Sequence, residues 1–367
     1  MINKKRLVKT FNKLVRIDSL SLREANVVRY VQRELRRLGI RSTQVGRPSG
    51  GDTGSLLASL PGRGPTIMLN AHLDTVSPGK NIKPRERNGV IRSDGTTVLG
   101  ADNKAGVAAI LEVLRTIKRK KLAHPPLQII FTVAEEIGLV GAKALPVKAL
   151  KADYGFALDG GAINKILNQA PSQVNLTALI IGQAAHAGVH PEAGVNAIRV
   201  ASEAIAKMKI GRIDRETTAN IGVIKGGKAT NIIPDEVEIR GEARSHDPAK
   251  LRRQVKQMTG QLRQACRRHG ARLKLKTERL YRSFAVKPDS PVVQAVLAGM
   301  KKQRLTPLIK PSGGGSDANI FNAVGVPTVV LGVGARHLHT TQEELVVRAF
   351  VRGTELLLAI ITGAHHG

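Results

Sequence analysis

The chain is short of several residue types that often dictate architecture. Its 367 residues include a single cysteine, Cys266, with six Phe, three Tyr and no Trp. A lone thiol excludes a disulfide framework and a cysteine-based zinc site. So few aromatics leave little to stack on single-stranded bases. No apolar run reaches the ~18 residues of a membrane span. The N-terminal MINKKRLVKTFNKLVRI lacks the apolar core of a secretory signal. Acids are scarce too: 28 Asp and Glu face 58 Lys and Arg, a formal charge of +30. At 42% hydrophobic the chain still supports packed cores, and its length suggests about two domains. The first expectation is a soluble, cytoplasmic, two-domain protein with no membrane association.

The basic excess clusters at Lys4-Lys5-Arg6, Lys118-Arg119-Lys120-Lys121 and Arg267-Arg268. These clusters read as solvated helix faces, since no zinc-finger or RRM signature accompanies them. A nucleic-acid or anionic-surface partner is disfavoured, though the +30 charge leaves it open. A steep salt dependence of binding to duplex DNA or heparin would speak for such a partner.

Apolar positions recur at helical spacing from residue 6 to 38, interrupted at Ser19–Ser21 and closed by Gly39. Short apolar runs follow at 55–60, 66–70, 127–134 and 154–158. An amphipathic helix starting near Lys104 lies between the second and third of them. Apolar strands alternating with helices predict an α/β sheet covered on both faces. After Pro171 the pattern changes. Strands at 173–182, 217–224, 235–243 and 272–278, with helices at 194–209 and 248–269, give the β-α-β-β-α-β order of a ferredoxin-like α+β sandwich. The α/β pattern then resumes with a helix at 290–303, a strand at 327–331 and a helix at 342–362. The expected organisation is a first part at 1–172, an inserted domain at 173–286, and a second part at 287–367.

Five segments gather acids and histidines, mostly at the ends of those strands. His72-Leu73-Asp74 follows the 66–70 strand, and an imidazole and a carboxylate two residues apart point the same way from extended backbone. Such a pair suits a histidine ligand held by its own acid. Asp102 sits between Gly100 and Lys104 at a helix start, where a plain N-cap would also place an Asp. Glu135 and Glu136 end the 127–134 run. Adjacent buried carboxylates repel unless a cation or a shared proton compensates, and Gly138 lets the strand break so that both serve one site. Asp159 ends the 154–158 run. His337 and His339 precede Thr341 and Glu344, whose capping-box spacing places His339 just ahead of the last helix. Ligands of open α/β sheets lie at the carboxyl ends of strands. Two histidines, several carboxylates and no cysteine form a donor set for zinc, manganese or cobalt, ample for two ions sharing a carboxylate. Two near-matches carry less. GVIKGGKA (222–229) lacks the Ser or Thr that a P-loop needs after its Lys, and Ser316 in GGGSDA is a poor nucleophile.

HLDTV, GADNKAG, AEEIG, ALDGG, GQAAHAG with GVNAI, GEARS, GGGSDAN and the terminal HT..E together resemble the metallopeptidase family of peptidase T, carboxypeptidase G and the aminoacylases. The motifs span essentially the whole chain in the family's order, with the peptidase T branch the most similar. The resemblance implies a zinc-exopeptidase-type mixed sheet flanked by helices, with the insertion as a dimerisation (lid) domain. It implies two Zn2+ per subunit, with Co2+ or Mn2+ as substitutes. His72 and Asp159 would hold one ion, Glu136 and His339 the other, and Asp102 would bridge them. Asp74 would orient His72, Glu135 would be the general base, and His186 would reach the scissile carbonyl across a homodimer. Arg244 and Asn231 would contact a small peptide substrate. Where peptidase T has a loop resembling RGGTD, Gly313 here replaces the Arg, which leaves strict tripeptide specificity open. The expected activity is that of a tripeptide aminopeptidase. The alternatives are a carboxypeptidase or N-acyl-amino-acid deacylase on the same metals, or a non-catalytic basic binding protein on a decayed scaffold. The intact acid set argues against decay, since unpaired buried charges are costly.

Overall fold

A computed structural model describes residues 2–363 and divides the chain into two compact units: residues up to Ala170 with those from Ala285 onward, and Pro171–Phe284. In chain order the first unit opens with helices α1 (Lys4–Val15) and α2 (Ala25–Arg37). Strands β1 (Ser42–Val45), β2 (Ser55–Leu60) and β3 (Ile67–His72) follow. Next come helix α3 (Ala101–Lys120) and strands β4 (Leu127–Thr132), β5 (Tyr154–Gly160) and β6 (Lys165–Ala170). The inserted unit holds β7 (Ser172–Ile181), α4 (Ala197–Ala206), β8 (Thr217–Gly226), β9 (Glu236–Ser245), α5 (Pro248–His269) and β10 (Arg272–Tyr281). The chain then returns through α6 (Pro291–Lys302), β11 (Leu308–Pro311), α7 (Asp317–Ala323), β12 (Thr328–Gly332) and α8 (Val347–Gly363).

The first unit is built on a mixed sheet of order β1-β2-β4-β3-β5-β12-β6, with β11 pairing β6. Its four middle strands, β4, β3, β5 and β12, run parallel, so their carboxyl ends share one edge. β3 lies between β4 and β5, the strands that follow it, and the strand order therefore reverses there. Such a switch point opens a crevice beyond the strand ends. Every residue of β3 and β4 is buried, which explains why they read as unbroken apolar runs.

Helix α3 packs against β3 and β5 on one side and against α1 and α8 on the other. It is buried all round, and its ionic residues are paired accordingly. Arg6 meets Glu112 at 2.7 Å, and Arg115 meets Glu34. Gly106 allows the close approach to the sheet: a Cβ there would lie 2.5 Å from the Leu158 carbonyl oxygen and 2.2 Å from Asn103 Oδ1. On the other face Met68 and Ile130 pack with Leu145, Phe321 and Val326.

The inserted unit is an antiparallel sheet of order β8-β9-β7-β10. Numbered within the insertion this is 2-3-1-4, the ferredoxin-like arrangement its element order predicts. Ala178, Ile180, Val237 and Ile239 form a common core with Val200 and Ala201 of α4 and Met258 and Leu262 of α5. Twelve of the Lys and Arg residues fall between 248 and 282, where Glu278 is the one acid. Along α5, Arg252, Arg253, Lys256 and Arg263 are exposed, so part of the charge excess is worn on the surface of this unit. No helix among the described residues is long and apolar enough to cross a membrane.

One expectation near the C-terminus is corrected. Thr341 and Glu344 do not cap the last helix. Residues Glu344–Val346 form a short strand paired with Val90–Arg92, and the helix begins at Val347. Glu344 is drawn to the Arg92 guanidinium, a long-range ion pair that outcompetes a local cap.

Candidate active site

Seven of the ten residues singled out from the sequence come together in the first unit, beyond the carboxyl ends of its parallel strands. β3 ends on His72, and the chain turns to bury Asp74 completely. Asp74 is the hub. Its carboxylate faces His72 Nδ1 at 3.2 Å and accepts the Ser21 hydroxyl at 2.7 Å. It also accepts the backbone N–H groups of Glu135 and Glu136 at 3.0 and 3.1 Å. That last pair of bonds shapes the break after β4. Ala134 and Gly138 both adopt positive φ, and the two glutamates leave strand geometry where their amides turn towards one acid.

With Nδ1 engaged, His72 turns Nε2 towards Asp102 Oδ1 at 3.0 Å and Asp159 Oδ1 at 3.5 Å. The other Asp102 oxygen faces His339 Nε2 at 3.3 Å, and that nitrogen lies 3.1 Å from the Glu136 carboxylate. Asp102 is therefore no N-cap. It and Asn103 have non-helical backbone angles within α3, and its two oxygens divide between two groups of donors. His72, Asp102 and Asp159 form one triplet, Asp102, Glu136 and His339 a second, and His72, Glu135 and Glu136 a third, each with donor atoms within 4.8 Å of one another.

These spacings fit cations. Tetrahedral coordination at roughly 2.0–2.2 Å places neighbouring ligand atoms about 3.3–3.6 Å apart, against the observed 3.0–3.5 Å. The electrostatics agree. Burial raises Glu135 well above the ordinary carboxylate range, with Asp159, Asp317 and Glu136 adding to it against the opposing pull of His72. Burial and Asp102 push Asp159 up to about 7. Burial disfavours charge on Asp102 as well, yet His339 and His72 outweigh it and hold the group low. Hydrogen bonds to Asp102 and Glu136 raise His339 to about 10. Without a cation, protons must supply the counter-charge.

Supporting residues absent from the sequence reading surround this set. The buried Lys104 ammonium donates to the Asp74 carbonyl at 3.2 Å and to Thr75 Oγ1 at 2.5 Å. Burial lowers its pKa to about 8. Asn103 Nδ2 donates to Asp159 at 3.1 Å. Glu24 accepts the Ala134 N–H at 2.7 Å, and burial raises it to about 7. Asp317, in the Gly-rich loop, accepts from the Thr132 hydroxyl and sits at about 6, raised by burial. Glu343 accepts the N–H groups of Gly100 and Asp102 at 2.7 and 2.9 Å, and burial again raises it to about 7. Glu343 belongs to the HT..E element, which was the available signal for it.

The other three sequence candidates lie in the inserted unit. His186 and Asn231 are neighbours there: His186 bridges Ile232, and the Ala187 N–H donates to the Asn231 carbonyl at 3.0 Å. His186 is exposed, and its Nδ1 accepts the Gly188 N–H at 3.2 Å, which leaves the proton of the neutral ring on Nε2. Arg244 forms a two-point ion pair with Glu242 at 2.8 and 3.0 Å.

Comparison with known proteins bears directly on this geometry. The model for peptidase family M20/M25/M40 matches residues 68–363. The chain belongs to the M20/M25/M40 peptidases. Membership makes it a metal-dependent hydrolase, in accord with the donor set. Among solved structures it is similar to the aminopeptidase PepT of Bacillus cereus, 42% identical over 99% of both chains with a TM-score of 0.87. It is also similar to a tripeptidase of Staphylococcus aureus, 39% identical over the full length of both with a TM-score of 0.94. A peptidase T of Listeria monocytogenes is 24% identical over 97% of this chain and 98% of its own.

The raised carboxylates of this M20 peptidase make a pH prediction for its metal-free form. Asp159, Glu24 and Glu343 each sit near 7 when folded, against about 4 for ordinary carboxylates. Between those values the native state holds protons that the unfolded chain has released, so stability falls as pH rises. Cation binding runs the other way, because the ligands must be deprotonated. The Tm of chelator-treated protein is expected to fall from about pH 5 to 7.5, while the increment on adding zinc grows over the same range. A flat Tm in the metal-free protein would contradict the buried placement of these acids.

Proposed function

We propose that this protein is a cytoplasmic dinuclear-zinc exopeptidase that removes residues from the N-terminus of short peptides, with tripeptides the best substrates. The observation that carries the reading is the division of Asp102 between two triplets. The similarity to a tripeptidase and an aminopeptidase over the full chain supports the substrate class. His72 and Asp159 would hold one cation, Glu136 and His339 the other, with Asp102 shared; cobalt or manganese could replace zinc on these nitrogen and oxygen donors. Bound there, the cations supply Lewis acidity for the scissile carbonyl and acidify a water. Glu135 takes the proton of the attacking water and delivers it to the departing amine. Asp74 keeps the His72 ring oriented through Nδ1.

The test is a panel of di-, tri- and tetrapeptides with free or acetylated N-termini, joined by N-acyl amino acids, with and without chelator. The expected result is chelator-sensitive release of the N-terminal residue, fastest from tripeptides, and lost when the amine is acetylated. Preferential release of C-terminal residues or of acyl groups would favour a carboxypeptidase or a deacylase instead.

The inserted unit is proposed to dimerise and to present His186 Nε2–H to the carbonyl oxygen of substrate held in the partner subunit. Removing one such donor typically costs about 10²–10³ in kcat. Mixing inactive Glu135→Gln subunits with His186→Ala subunits should then recover part of the activity. Absence of any recovery would restrict His186 to its own chain.

A further inference from the structure

The segment that carries His339 also reaches back to the backbone that carries Asp102. Glu343 is 1% exposed, and backbone meets its carboxylate: Oε2 accepts the Gly100 N–H at 2.7 Å and Oε1 accepts the Asp102 N–H at 2.9 Å. Both oxygens are thus committed to one turn at the start of α3. On its own side the segment is a closed turn. Thr340 Oγ1 donates to the His337 carbonyl at 2.7 Å, the Gln342 N–H donates to that hydroxyl at 3.2 Å, and the Glu343 N–H donates to the Thr340 carbonyl at 3.1 Å. His339 and Glu343 therefore belong to one hydrogen-bonded turn, and Glu343 ties that turn to the one that carries Asp102. Their facing atoms, His339 Nε2 and Asp102 Oδ2, lie 3.3 Å apart.

We propose that Glu343 is a positioning residue that clamps the Asp102 turn to the His339 turn and so sets the bite of the second cation site, the one formed by Asp102, Glu136 and His339. This rests on the two-cation reading above. A neutral amide cannot do the same work. Glutamine has one acceptor oxygen and an NH2 donor, so one of the two backbone N–H groups would confront a donor and the Asp102 turn would shift. Residues that orient metal ligands typically contribute about 10–100-fold in affinity. Asp102 is shared by both sites, but the second also has His339 on a clamped turn, whereas His72 and Asp159 stand on β3 and β5 outside the clamp, so the first cation should be affected less.

The test is a cobalt titration of the full-length metal-free protein, read by visible absorption and by competition with a chromogenic chelator. The parent is expected to bind two cobalt ions. Glu343→Gln is expected to weaken one step by about 10–100-fold and leave the other within about threefold. KM for a tripeptide should stay unchanged, and kcat should return at saturating cobalt. Glu344→Gln, which breaks the ion pair to Arg92, is the structural control: it should lower Tm without moving either cobalt step. Should Glu343→Gln fail to fold, Glu343→Asp keeps the charge on a shorter arm and is expected to weaken the same step. A folded Glu343 variant whose two steps both match the parent overturns the clamp. A parent that binds a single cobalt overturns the two-cation reading on which the clamp rests.

Discussion

Glu135→Gln is expected to lower kcat by about 10²–10⁴, the range of general acid–base catalysis, while cation content stays at the parent level. The substitution keeps the side chain's size and leaves the backbone N–H that binds Asp74 at 3.0 Å in place. What it removes is a basic oxygen. Glu135 is suited to the role because it is 7% exposed among other acids, and burial raises its pKa well above that of a solvated glutamate. A carboxylate of ordinary acidity would be a weak base near neutral pH. The cations proposed for this pocket would offset part of that rise. Parallel measurements of turnover and of cation content in the purified variant separate a lost base from a lost ligand. Retention of most of the activity would remove Glu135 from the mechanism. Loss of a cation together with activity would make it a ligand, a role that the triplet of His72, Glu135 and Glu136 leaves geometrically open.

The two glutamates also show how far the primary structure could be read. β3, β4, β5 and β12 were legible because strands covered on both faces need apolar residues throughout, and each acid or histidine at the carboxyl end of such a run breaks that rule visibly. His72, Glu136 and Asp159 stood out for this reason. The supporting contacts left no such mark. Lys104 donates to Asp74 and Thr75, some thirty residues earlier, and Glu343 binds amides of Gly100 and Asp102 more than 240 positions away. Bonds from a side chain to distant backbone impose no periodicity and no spacing. The same limit explains the misplaced start of the last helix. A Thr-x-x-Glu spacing is a local signal, but the pairing of residues 344–346 with 90–92 and the ion pair to Arg92 are long-range. Tertiary contacts decided the outcome there, as they did for Asp102, which could pass as a helix cap until its two oxygens were seen to face two histidines.

Asp102→Ala is expected to be the most damaging single substitution in the pocket, beyond His339→Ala. Loss of His339 removes one donor from one triplet, so the protein should retain the cation held by His72 and Asp159 and lose the other. Loss of Asp102 removes a donor from both triplets at once, and cation content should approach zero with activity below detection. The stability consequence is a second, independent reading. A cation at about 100 times its Kd stabilises the native state by about 2.7 kcal/mol per site, and Asp102→Ala should forfeit that increment even with zinc in excess. The metal-free form should suffer too, because this carboxylate, with other acids, raises His72 against its burial and raises His339, and both rings would lose a partner within 3.0–3.3 Å. Elemental analysis and thermal melts with and without zinc measure both effects. An Asp102→Ala protein that still holds two ions, or that zinc stabilises as strongly as it does the parent, would show that the two groups of donors do not share this carboxylate.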